Sequence, residues 1–179
     1  MRKIIALIVS LLALTSNKAF SQTEVTAQPA ATTYPKIEGN FSIVLPIFTV
    51  NQNTTTDNFS DFYNGFNLGF PVGLNILYGD KFGFSYEFTP SIRTENGNTK
   101  MNDVLFDPGP MFRFKNGFTF IPRLAFQTNG RYGITPAFNQ IVIQAKNCSY
   151  FIAASLPMRF GNNELPSLGF SFQFGIYLY

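Results

Sequence analysis

The sequence predicts an all-β chain, an eight-stranded antiparallel up-and-down transmembrane β-barrel, on three observations. The first is alternation: in KFGFSYEFTPSIR, residues 81–93, Phe82, Phe84, Tyr86, Phe88, Pro90 and Ile92 take turns with Lys81, Gly83, Ser85, Glu87, Thr89, Ser91 and Arg93. That period of two places one set on each face of a strand. The second is length, because most such stretches run ten to sixteen residues. Strands of soluble domains cluster at about five or six, whereas a tilted strand needs about nine to eleven to cross a bilayer. The third is volume: the apolar face carries more ring than the inside of a small barrel holds.

Taken from the start, MRKIIALIVSLLALTSNKAFSQ has a basic opening (Arg2, Lys3), a mainly apolar run from Ile4 to Leu14, and small residues at Ala19 and Ser21. This is the pattern of a secretory signal peptide over residues 1–21, cleaved before Gln22. Its apolar run falls short of the roughly 20 residues of a spanning helix. Residues 22–36, QTEVTAQPAATTYPK, are small, polar and proline-bearing, the composition of an unstructured periplasmic lead-in. The barrel then occupies residues 37–179, with strands expected near 39–50, 63–78, 81–93, 104–114, 118–127, 138–145, 149–160 and 168–179. Short turns fall at Gly79-Asp80, Lys115-Asn116-Gly117 and Lys146-Asn147-Cys148, the first two with hairpin turn chemistry. Longer polar loops fall at about 51–62, 94–103, 128–137 and 161–167. Short and long connections alternate, so all the loops project from one end, as in an outer-membrane barrel whose short turns face the periplasm.

Six strands alternate cleanly enough to list their apolar faces: residues 66–78, 82–92, 104–114, 118–126, 150–160 and 168–178, every second position. Those 36 positions contain no charge and eighteen aromatic residues, fifteen of them Phe. The complementary faces carry Lys81, Glu87, Arg93, Asp107, Arg113, Arg123 and Arg159 together with seven glycines. An eight-stranded barrel has an interior only just wide enough for side chains to fill, so eighteen rings must point outward. In water such a coat aggregates; in lipid it is the surface required. The alternative is a soluble secreted sandwich or ligand-binding barrel, in which the same face is a core. That alternative leaves the glycine-rich face in water without a reason.

Seven prolines lie inside these strands: Pro46, Pro71, Pro90, Pro108, Pro110, Pro122 and Pro157. Each removes a ladder donor, and a belt of bulges on the loop side of the barrel would accommodate them.

Charge and composition exclude several functions. Arg2, Lys3 and Lys18 leave with the leader, and the remaining chain has ten bases and ten acids. The basic overall balance is therefore an export feature and supports no nucleic-acid partner. A single cysteine, Cys148, permits neither an internal disulfide nor a cysteine-rich zinc site. Histidine is absent altogether, which removes the commonest general base and metal ligand. The chain is read as a non-enzyme without catalytic residues, cofactor or metal. Asp57 and Asp61 with their Asn and Thr neighbours match no calcium cage. Phe59, Phe62, Tyr132 and Phe138 fit an aromatic girdle at the membrane interface.

One constellation remains, the charges of the polar face: Glu87, Arg123, Asp107, Arg113, Arg93 and Arg159. If Glu87 lies opposite Gly109, and Gly109 opposite Arg123, then Glu87 and Arg123 reach each other across the space glycine leaves, two strand spacings or roughly 9 to 10 Å between backbones. Arg113 is the alternative partner and Asp107 a second acceptor. A structural salt-bridge network filling the lumen is the reading preferred over a pore.

Hairpin rhythm, outward aromatics, the export signal and the last strand, LGFSFQFGIYLY, together resemble the small OmpA-like outer-membrane β-barrel proteins. The resemblance covers residues 37–179. It implies an outer-membrane location, lipid as the surrounding medium, and a terminal aromatic signal read by the barrel-assembly machinery. Tyr177 and Tyr179 fit that signal, although the apolar alternation of Phe170, Phe172, Phe174, Ile176 and Leu178 is one residue out of phase with them. The expected function is structural or surface-interacting, the barrel an anchor and four loops outside; a narrow transport barrel is the alternative.

Overall fold

The computed structural model describes residues 33–57 and 66–179. The expected leader, most of the lead-in, and Phe59, Asp61 and Phe62 lie outside the described residues. Among the described residues twelve strands follow in order: β1 (Lys36–Asn51), β2 (Thr55–Asp57), β3 (Phe66–Gly69), β4 (Val72–Leu77), β5 (Phe82–Glu95), β6 (Asn98–Phe106), β7 (Gly109–Arg113), β8 (Phe118–Gln127), β9 (Tyr132–Gln144), β10 (Cys148–Ser155), β11 (Met158–Phe160) and β12 (Ser167–Leu178). A single 3-10 turn at Lys115–Gly117 joins β7 to β8.

All pairings are antiparallel. β3 and β4 continue one another, as do β6 and β7, and β10 and β11, while β2 only doubles back on the end of β1. Eight staves result, each paired with its neighbour in the chain. The last closes on the first, with β12 pairing β1 from Gly39↔Leu178 to Asn51↔Ser167. The architecture is thus an up-and-down antiparallel sheet whose pairing runs round a ring of eight strands. The turns at 78–81, 114–117 and 145–147 share one end; the connections after β1, β5, β8 and β11 share the other, called here the loop end.

Three expectations are corrected in detail. The polar stretch 94–103 is not a long loop: β5 and β6 continue as a hairpin around Asn96 and Gly97, whose φ values of 50° and 74° are those of a tight type I′ turn. The sixth stave begins at Tyr132 rather than 138, since Pro136 sits inside β9 directly opposite Pro122 and its carbonyl still accepts from Leu156 N at 3.0 Å. The first begins at Lys36, and Tyr34 ahead of it packs against a buried cluster and hydrogen-bonds to Asp80.

The faces fall as the alternation requires. Phe82, Tyr86 and Phe88 of β5 are exposed, Phe88 at 54 %, while Gly83, Ser85, Glu87 and Thr89 between them are buried. On β8, Leu124 (54 %) and Phe126 (50 %) point out and Thr119, Ile121, Arg123 and Ala125 point in. Outward rings meet their cross-strand neighbours, as in Phe88–Phe106 (centroids 4.7 Å apart) and Phe120–Phe138 (5.0 Å), contacts that add to sheet stability.

The proline belt is half realised. β3 breaks before β4 at Phe70–Pro71, β6 before β7 at Asp107–Pro108, β10 before β11 at Leu156–Pro157, and β1 shifts register between Pro46 and Phe48. At these breaks the carbonyls stay satisfied: Ser42 N donates to Pro71 O (2.9 Å), Leu124 N to Pro108 O (2.8 Å) and Gly169 N to Pro157 O (2.7 Å). Pro90, Pro110 and Pro122 lie within continuous strands.

Candidate functional site

The interior has three levels. At the turn end Leu77, Met111, Ile121 and Ala137 pack together with Tyr34 against them, and beside them Phe151 stacks on Tyr177 (centroids 4.3 Å) with Ala153. Ile121 and Leu77 are buried completely or nearly so, so this end is filled by side chains. The ring stays narrow here because its inward glycines leave the space: a Cβ on Gly175 would stand 2.4 Å from Ser42 Cβ and 2.8 Å from the Phe151 ring.

Above this plug lies a polar layer centred on Arg123. Its Nη1 donates to Glu87 Oε1 at 2.7 Å, its Nη2 to Ser85 Oγ at 3.2 Å, and Asp107 Oδ2 stands 3.8 Å from Nη1. All three charged side chains are at least 96 % buried. Around them Gln173 Nε2 donates to Ser42 Oγ and Asn139 Nδ2 to Tyr177 Oη, both at 2.7 Å. The pairing differs from the expected one by one interior level. Glu87 does not face Gly109; Ser85 does, and Asp107 N donates to Glu87 O at 3.0 Å. Gly109 lies against Arg123, where an added Cβ would come within 2.5 Å of Pro122 O and 2.8 Å of Arg123 Cα. The glycine therefore lets two backbones approach, and the carboxylate arrives from the neighbouring position.

Three of the six expected network residues, Glu87, Arg123 and Asp107, come together. Arg113 and Arg93 do not. Arg113 stands at the turn end, lining a small crevice with Glu38; Arg93 stands at the loop end in an exposed pair with Glu95 at 2.7 Å. Alternation places both on the inward face but carries no information on how far along the axis each stave has risen. Arg159 lies higher than the Arg123 cluster and donates from Nη1 to the carbonyls of Ile134 (3.2 Å) and Met158 (3.0 Å).

The third level is open. A cavity of about 490 Å³ reaches from Glu87, Asp107 and Arg123 up to the loop end. Its wall is held by hydrogen bonds from residues outside the expected network. Asp103 accepts from Ser91 and Gln127, and Arg131 bridges two loops by donating to Glu164 (2.9 Å), the Leu165 carbonyl (3.1 Å) and Ser167 Oγ (3.0 Å). Asp103 and Arg131 were hidden because both fall in stretches read as loop. Among the described residues no group of three or more Cys, Asp and Glu side chains is placed to hold a metal.

Comparison with protein-family models, with curated proteins and with solved structures finds no match for this chain.

Proposed function

We propose that this chain is an outer-membrane β-barrel whose wall anchors it in lipid and whose loop end meets the outside, in a structural or surface-interaction role. One observation carries the reading: the outward positions of the ring are Phe, Tyr, Leu, Ile, Val, Met and Pro almost throughout, with large side chains such as Phe41, Phe88, Leu124 and Phe174 about half exposed. In water these would form one continuous apolar surface far beyond the patches that soluble proteins tolerate. In a bilayer a ring of strands is the β architecture that leaves no backbone edge unpaired. The interior supports an anchor rather than a conduit, because the turn end is packed with Leu77, Met111, Ile121 and Tyr177 and the middle is crossed by Arg123 and its partners.

The test begins with expression of the full chain in a Gram-negative host and separation of its membranes. The protein should fractionate with the outer membrane, and in detergent the unboiled form should migrate apart from the boiled one on a denaturing gel. Purified protein in a planar bilayer should give no steady conductance. Recovery in the aqueous fraction would overturn the membrane reading, and steady single-channel currents would replace the anchor by a pore.

A further inference from the structure

The cavity at the loop end is closed beneath by the Arg123 layer, and its size lies within the range of about 300 to 1,000 Å³ typical of small-molecule sites. Among the described residues its lining is dominated by amide and hydroxyl side chains, among them Asn129, Gln127, Thr135, Ser155 and Ser171, with Phe48 as the one aromatic. Four guanidinium groups and four carboxylates of the described residues also line it, formally equal in charge.

The charges are unequally engaged. Arg123 is held by Glu87 and Asp107, Arg131 by Glu164 and Arg93 by Glu95. Arg159 is different. It is only 9 % exposed, no carboxylate of the described residues lies within 4.0 Å of it, and it spends Nη1 on two backbone carbonyls. The N–H groups on Nε and Nη2 have no protein partner among the described residues, and the side chain lines the cavity. A buried guanidinium with no carboxylate in contact is costly, and its planar N–H edge is the shape that grips a carboxylate through two parallel bonds.

We propose that this cavity binds a small, hydroxyl-rich monocarboxylate, its carboxylate held by Arg159 and its hydroxyl groups by the amide and hydroxyl side chains of the wall. Arg159 is the guanidinium of this wall with no described carboxylate in contact, and a single carboxylate group on the ligand supplies that partner. Asp103 and Asp107 line the same cavity, and a second negative charge on the ligand would meet them. That the mouth opens to the outside rests on the membrane orientation proposed above; the binding chemistry does not.

The experiment is calorimetric titration of the detergent-solubilised full chain with gluconate, with sorbitol (the same polyol lacking the carboxylate) and inorganic phosphate as comparators. Gluconate should bind with a Kd of about 1 mM or tighter, and the other two at least about tenfold more weakly, as expected for loss or mismatch of a charged hydrogen-bonded contact. Arg159→Gln should lose about tenfold in gluconate affinity. Because Arg159 also ties down the Pro157 break, a second variant, Ser155→Leu, fills the cavity from a wall residue whose hydroxyl makes no hydrogen bond among the described residues; it should abolish gluconate binding. Heat-dependent gel migration checks that each variant is folded, and it reads the ring whether or not gluconate binds, so a failed titration leaves the membrane reading standing. Absence of gluconate binding, equal binding of gluconate and sorbitol, or wild-type affinity in a folded Arg159→Gln or Ser155→Leu protein would overturn the site.

Discussion

Replacing Arg123 by Met removes the guanidinium and keeps most of the stem volume, leaving Glu87 and Asp107 buried in one layer with no cation between them. With an effective dielectric of about 20, the 2.7 Å and 3.8 Å contacts correspond to about 6 and about 4 kcal/mol of attraction. Most of that is spent offsetting the desolvation of three charges, several kcal/mol each. What the mutation exposes is this offset: breaking a buried pair by removing one partner costs about 3 to 5 kcal/mol. Glu87→Gln should cost less, about 1 to 2 kcal/mol, because the amide oxygen still accepts from Arg123 and Asp107 still supplies a charge. The triple variant Glu87→Gln, Asp107→Asn, Arg123→Met should recover most of the loss, since a neutral layer has no charge to strand. Urea unfolding of the detergent-solubilised protein, followed by circular dichroism, gives the midpoint and slope for each variant. An Arg123→Met protein within about 0.5 kcal/mol of wild type, the scatter of ordinary surface substitutions, would refute the view that this layer is an electrostatic unit. So would a Glu87→Gln loss as large as that of Arg123→Met.

Two further substitutions test the wall. Leu124, 54 % exposed on β8, faces lipid under the proposed function; Leu124→Arg should cost about 2 to 4 kcal/mol in bilayer-reconstituted protein if it lies near the midplane, and folding into lipid vesicles measures it. A change within about 0.5 kcal/mol, as for a water-exposed site, would count against the lipid-facing wall. Gly109→Val places a branched side chain where Pro122 O stands 2.5 Å from the Cβ position, and should lower stability by about 1 to 3 kcal/mol in the same urea assay; wild-type stability there would show that β7 and β8 are not held at the observed approach.

Strand positions were legible because side chains alternate with a period of exactly two residues, and that period survives prolines and glycines that would confuse a helix pattern. The inward or outward sense of every clean stave followed from ring volume alone. Two things were not legible. Where staves extend past the expected edge, as at 94–103, the polar composition of Thr94, Asn98 and Thr99 read as loop, although Asn96-Gly97 is itself a hairpin signal. Register along the axis was the second. Placing Glu87 opposite Gly109 instead of Asp107 shifts one stave by two residues, which keeps every side chain on its correct face and so leaves no trace in the hydrophobic pattern. For the same reason Arg93 and Arg113 share a face with Arg123 yet sit at opposite ends.

The prolines connect the fold to the cavity. Breaks at Pro71, Pro108 and Pro157 and the shift beyond Pro46 interrupt four staves, and Pro46, Pro71 and Pro157 all line the cavity. Below them the ladders carry one register shift, between Tyr150 and Phe151, glycines such as Gly83 and Gly175 draw the wall inward, and the interior fills with Leu77, Met111, Ile121 and Phe151. Above them each irregularity releases its stave from strict register and re-aims the inward side chains. A regular ring of eight strands has room only for its own side chains, so an open chamber requires local departures from that regularity. A proline does this at low cost when its carbonyl keeps a partner, as at three of these breaks. The same residues that weaken a strand reading of the sequence therefore mark the level at which this ring changes from a plug to a chamber.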